Sequence, residues 1–125
     1  AYDAALKYSR ERVAFGKPIG EHQVIGFKLA DMLAAIHGAN LMTYHAAWSL
    51  DQGLPVTREA AMAKLVASEM ANRVADEASR IFASYGFAME YPVQRYFRDA
   101  RFLLLGGGTS EILRVIISKD LEWRA

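Results

Sequence analysis

The chain has 125 residues, one domain's length, with 53% hydrophobic and 23% charged residues, the balance of an ordinary globular domain. A formal net charge of +1 gives no electrostatic reason to bind nucleic acid or an acidic membrane surface, and no block of like charge stands out. There is no cysteine, which excludes disulfides and thiolate chemistry without identifying a compartment.

From Ala1 on, the chain reads as the middle of a helix with no N-cap ahead of it. The expectation is therefore an excised domain whose first helix continues upstream. No signal peptide is predicted. Uninterrupted apolar stretches such as Phe102–Leu105 and Val115–Ile117 do not exceed about five residues, against the roughly twenty of a membrane span, so no span is predicted either. The opening helix is predicted over 1–14 and stops at Phe15-Gly16-Lys17-Pro18. A long helix follows from about Glu21 to Leu50, its apolar positions Ile25, Leu29, Met32, Ile36, Ala39, Ala46 and Leu50 spaced by threes and fours. Gly53 suits the left-handed position after its end, and Pro55 prevents continuation.

Thr57 is predicted to cap a second long helix with Glu59 in its positive first turn. Ala63, Ala67, Met70, Val74, Ala78 and Ile81 form its inward stripe, and Tyr85-Gly86-Phe87 breaks it. Pro92 fits the first position of a further helix with Val93, Phe97, Ala100 and Leu104 inward. After Gly106–Gly108, Thr109 opens a last helix through about Asp120. No β-alternating run, repeat or low-complexity linker stands out. The predicted fold is all-α: an up-and-down four-helix bundle with a short appended C-terminal helix.

Two places carry residues suited to an anion. Gly106-Gly107-Gly108 lets a ligand or another backbone come close and leads into a helix N-terminus; it also reads as a flexible turn with a Thr cap. It is not a phosphate-binding P-loop, since no lysine precedes Thr109 and no strand precedes the glycines. Arg10, Arg12 and Lys17 surround Phe15-Gly16, a set able to grip a phosphate and stack a flat ring, or simply a solvated helix end. His22, His37 and His45 lack the converging partners a metal site needs.

Four segments in register are similar to acyl-CoA dehydrogenases. Arg12-Val13-Ala14-Phe15-Gly16-Lys17-Pro18-Ile19 with His22-Gln23 resembles the family's R-x-x-F-G-x-x-I…Q, and Leu29-Ala30-Asp31-Met32 its L-A-[DE]-M. Glu90-Tyr91-Pro92-Val93 through Arg98-Asp99-Ala100 resembles its E-Y-P-V-x-R-x-x-R-D-A, and Gly108-Thr109-Ser110-Glu111-Ile112 its G-T-S-E-I. The resemblance spans essentially the whole chain. It implies the C-terminal helical domain of a homotetramer that binds FAD and dehydrogenates an acyl-CoA thioester at its α,β bond. Electron-transferring flavoprotein is then the partner that reoxidises the flavin. The location implied is the cytoplasm in a bacterium or the mitochondrial matrix in a eukaryote.

Carried across by position, Arg12 meets the FAD pyrophosphate and Phe15 the adenine side, with His22 and Gln23 also on cofactor positions. Thr109, Ser110 and Glu111 begin the last helix against the cofactor, and Gly108 falls at a substrate contact. Arg80 and Ser84 fall on further cofactor positions, where relatives show Q-I-x-G-G-x-G; here Arg80 replaces the glutamine, and Ala83 and Ser84 replace two glycines. Arg98-Asp99 is expected to be a charge pair tying the bundle together. Many members carry the catalytic glutamate directly before G-T-S, whereas this chain has Gly107, so no catalytic residue is expected within it. The isovaleryl and long-chain types likewise lack it there and place it on an earlier helix, about fifteen residues upstream of Ala1; a base works from any segment that positions its carboxylate. A non-catalytic subunit, or a related flavoprotein with different chemistry, are the alternatives. Alone, the 125 residues are expected to fold without holding FAD tightly.

Overall fold

The computed structural model describes residues 1–119 and 121, and places five helices around one apolar core. They are α1 (Tyr2–Glu11), α2 (Gln23–Asp51), α3 (Thr57–Phe82), α4 (Val93–Phe102) and α5 (Ser110–Lys119). The predicted end of the last helix near Asp120 lies outside the described residues. α3 is the hub, packing against each of the other four. The core joins Ala5 of α1, Leu29 and Met32 of α2, Val74, Ala78 and Phe82 of α3, and Val93 of α4. Alanines dominate the shared face of α3, so neighbouring helices approach closely with little side-chain entropy lost.

The all-α expectation holds, with one local exception. α1 ends at Glu11 rather than near Ala14, and β1 (Val13–Ala14) pairs antiparallel with β2 (Lys17–Pro18). The pairing is only two residues long, too short to show an alternating pattern, and a two-residue turn at Phe15-Gly16 closes it. A 3-10 turn over Ile19–Glu21 then leads into α2.

α2 ends in a Schellman motif: Gly53 at φ 70° donates to the Leu50 carbonyl and Leu54 to that of Ser49. Thr57 does not cap α3. Val56 holds the N-cap position without a side-chain bond, and the Glu59 carboxylate instead accepts its own backbone N–H, which holds that carboxyl below the usual range. At the far end α3 stops at Phe82, and Ala83–Gly86 form a 3-10 turn.

The inward stripes drift from the expected ones near helix ends. Ser49, not Leu50, is buried at the end of α2, because an ideal helix slips against a strict three-four repeat over 29 residues. Phe97 is 47% exposed although it shares a stripe with buried Val93 and Ala100. Arg98 and Asp99 do not pair with each other among the described residues; both are exposed, and adjacent helical residues point about 100° apart, which disfavours such a pair. Charge pairs that do tie helices together are Lys28 of α2 with Glu77 of α3 and Arg114 of α5 with Glu69 of α3.

By length and composition alone, α2 is apolar enough to cross a membrane, which the short uninterrupted stretches do not reveal. Its inner face is core, and its outer face carries Phe27, Leu41, Tyr44 and Trp48, all more than half exposed in this chain.

Candidate functional site

The hairpin corner is built from its backbone outward. Arg12 terminates α1, its N–H donating to the Tyr8 carbonyl at 2.8 Å, while its own carbonyl accepts from Ile19 N–H at 2.8 Å. Phe15 and Gly16 stand at φ 52° and 82°, the positive pair of a type I′ hairpin turn. Glycine adopts that region freely, whereas a bulky Phe15 there costs on the order of 1 kcal/mol. The turn leaves Phe15 97% exposed.

His22 braces the turn rather than standing free. Its Nε2 lies 3.1 Å from the Ala14 carbonyl, so it donates there, and its ring meets that of Phe15 edge-on at 6.0 Å. Gln23, the first residue of α2, is exposed beside it. The Arg12 guanidinium lies over the Tyr85 ring, 5.7 Å from its centroid, and no carboxylate pairs with it among the described residues. Arg10 is exposed, and Lys17 donates to the Glu21 carbonyl at 3.1 Å.

The turn after α3 borders the same end of the bundle, since Tyr8 of α1 stacks on Phe82 at 4.0 Å. Ala83 there stands at φ 52°, ψ −132°, a conformation almost restricted to glycine. A glycine here, as Q-I-x-G-G-x-G has it, would meet no such strain. Ser84 is exposed, its carbonyl accepting from Phe87 N–H at 3.2 Å. Arg80 is held by Asp76 at 2.7 Å, and that carboxylate raises the arginine above its ordinary range, so its charge is already partly answered.

The start of α5 is built differently. Gly107 and Gly108 stand at φ 72° and 96°, and a Cβ on Gly107 would lie 3.6 Å from the Lys64 stem, whose ammonium donates to the Leu103 carbonyl at 2.6 Å. Thr109 caps the helix weakly, its hydroxyl oxygen accepting from Ile112 N–H at 3.4 Å. Ser110 is turned into the bundle: it is 5% exposed and donates to Glu69 at 2.7 Å. Glu111 stays outside. Its own backbone N–H and then the Thr109 hydroxyl hold its carboxyl below the usual range.

The two places do not meet within one chain. The hairpin corner packs near Phe82 and the α5 start near Lys64 and Glu69. Between Glu69 and Phe82, α3 advances about 20 Å at roughly 1.5 Å per residue. The residues brought together are Arg12, Phe15, His22 and the Ala83–Gly86 turn at one end, and Gly107–Glu111 at the other. Sequence reasoning missed Tyr85, Lys64 and Glu69, each of which acts on a residue far away in the chain.

Residues 1–122 match the family model for the acyl-CoA dehydrogenase C-terminal domain. The chain belongs to the acyl-CoA dehydrogenase family. Among its relatives in that family is the benzylmalonyl-CoA dehydrogenase of Aromatoleum aromaticum, 54% identical over 95% of this chain and 32% of the relative. Butyryl-CoA dehydrogenase from Megasphaera elsdenii superposes with a TM-score of 0.94 at 44% identity, covering 95% of this chain and 31% of that one. An FAD complex of PigA superposes with a TM-score of 0.94 at 30% identity, over 99% and 32%. This acyl-CoA dehydrogenase domain therefore spans about a third of the length of the curated relatives it matches.

Proposed function

We propose that this chain is the C-terminal domain of a longer FAD-dependent acyl-CoA dehydrogenase, and that it serves the cofactor at both the hairpin corner and the α5 start. The observation that carries the reading is Phe15, an aromatic held at positive φ and 97% exposed, with His22 as its one ring contact among the described residues. Such a ring costs stability and adds little packing, so its use lies in a ligand.

The donors present fit a dinucleotide. Arg12 offers a planar guanidinium to a diphosphate and Phe15 a flat face to a ring. Gly107 and Gly108 open the approach to the first amides of α5, where an anion or a polar ring edge is favoured. The two places lie about 20 Å apart along α3, so a slot bordered by both takes its second wall from another copy of the chain. That favours a homo-oligomer, with the tetramer as the expected form.

When bound, FAD supplies the hydride acceptor for α,β-dehydrogenation of an acyl-CoA thioester, and electron-transferring flavoprotein is the expected oxidant of the reduced cofactor. This domain binds and orients; it does not take the α-proton. Gly107 has no side chain to do so, and at φ 72° a glutamate in its place would be strained. The base therefore belongs on a segment upstream of α1. Gly107 also favours one second reading, a non-catalytic subunit that works only beside a partner chain.

The full-length protein should purify yellow and reduce a ferricenium-type acceptor with an acyl-CoA. Arg12→Ala should lower its flavin content. A colourless oligomer overturns the cofactor reading; turnover by the lone full-length chain excludes the non-catalytic one.

A further inference from the structure

We propose that Tyr85 is a positioning residue, holding the Arg12 guanidinium ready for a diphosphate; this rests on the cofactor reading above. Arg12 has its backbone pinned on both sides, to Tyr8 and Ile19, but its side chain reaches out through several rotatable bonds. A free arginine loses that rotamer freedom when it grips an anion, which weakens binding. A neighbouring group that orders it beforehand removes part of the loss.

Two kinds of neighbour can do this. A carboxylate would fix the guanidinium and neutralise it, as Asp76 does to Arg80. An aromatic face holds it by its π cloud and leaves the in-plane N–H donors free. Arg12 has the second kind: Tyr85 at 5.7 Å, with no carboxylate paired to it among the described residues. The nearest acid in sequence, Glu11, faces Lys7 at 3.9 Å.

Tyr85 is itself fixed. Its ring lies 5.4 Å from that of Tyr91, which in turn meets buried Phe82 at 5.5 Å and Tyr8 at 6.3 Å. This run of rings connects the core to the guanidinium and borders an open cleft of about 250 Å³ between Glu11, Arg12, Tyr85 and Tyr91. The backbone beneath Tyr85 is equally constrained. Ala83 enters the turn at φ 52°, and Gly86 closes it so tightly against Ser79 that no Cβ fits. Tyr85 falls on an open position of Q-I-x-G-G-x-G, directly after the two positions where Ala83 and Ser84 stand for glycine, so the support for Arg12 comes from a loop that has lost two glycines.

The test uses the full-length protein stripped of flavin and titrated with FAD, following flavin fluorescence. Arg12→Ala should weaken FAD by roughly tenfold or more, as expected for losing a charge-assisted contact. Tyr85→Leu should weaken it about three- to fivefold, and Tyr85→Phe, which keeps the ring face, by less than about twofold. In the Arg12→Ala background, Tyr85→Leu should add nothing, which separates positioning from a general loosening of the fold. Weakening by Tyr85→Leu that is the same with and without Arg12 overturns the proposal. So does an unchanged affinity in Tyr85→Leu beside a weakened Arg12→Ala, and that result leaves the cofactor reading standing. If Arg12→Ala itself binds FAD normally, both fall together.

Discussion

At the hairpin corner one of the two positive φ angles falls on Phe15, a residue that resists it; at the start of α5 both fall on glycines, Gly107 and Gly108, which do not. The first place accepts strain to project a ring and a guanidinium. The second removes side chains so that the main chain stays open, and anchors itself through Ser110 and Lys64 on α3. One end of the bundle therefore offers side-chain donors on a strained frame, and the other offers backbone donors on a relaxed one. Substitutions should affect the two in different ways.

The largest effect is expected where the strained end is closed. Gly86→Ala drives a Cβ into the Ser79 carbonyl oxygen, a backbone atom that cannot step aside, and should destabilise by about 3 kcal/mol in urea titration. A loss below about 1 kcal/mol would show that the Ala83–Gly86 turn is looser than described. At the other end, Glu69→Ala strands the buried Ser110 hydroxyl and releases Arg114, which should cost roughly 1–2 kcal/mol. If α5 keeps its amide protection in hydrogen exchange, Glu69 is not its anchor. Ala83→Gly goes the opposite way: relief of the φ 52°, ψ −132° strain outweighs the added freedom of the unfolded chain, for a gain of about 1 kcal/mol. No rise in melting temperature would mean that Ala83 is unstrained.

The smallest effect concerns pH. The Glu111 carboxyl is held below the usual glutamate range by its own amide and the Thr109 hydroxyl, so its stabilising effect is complete above that range and fades as pH falls through the folded value. Glu111→Gln should be slightly less stable than the parent at neutral pH. The gap should close on acidification; a gap that persists at low pH would assign it to something other than the charge.

The helices were legible because their signals are local: periodic apolar positions, Gly53 and Pro55 after α2, Pro92 before α4, Thr109 before α5. The short hairpin was not, since a two-residue ladder has no period and its Phe-Gly turn reads equally as a helix stop. The burial of Ser49 instead of Leu50 reflects accumulated helical phase, which a fixed three-four template ignores. Within the candidate site, Arg12, Phe15 and the α5 start stand out by residue type and order, and the structure sets Arg12 and Phe15 on an exposed corner and the α5 start half-buried against α3. What remained hidden were supports between distant positions. Tyr85 beneath Arg12, Glu69 beneath Ser110 and Lys64 beneath Gly107 leave no spacing to read. The inward turn of Ser110 depends on the partner that α3 offers, which its own neighbours in sequence do not reveal.

One consequence follows from the single unbroken α3 between the two ends. A helix sets both distance and azimuth, about 1.5 Å and 100° for each residue. Deleting one residue between Glu69 and Phe82 would bring the ends only slightly nearer but swing one a quarter-turn or more about the axis relative to its counterpart. Natural variation along this stretch should then exchange its outward side chains while leaving its residue count alone, as a keyed shaft tolerates new fittings but not a new pitch.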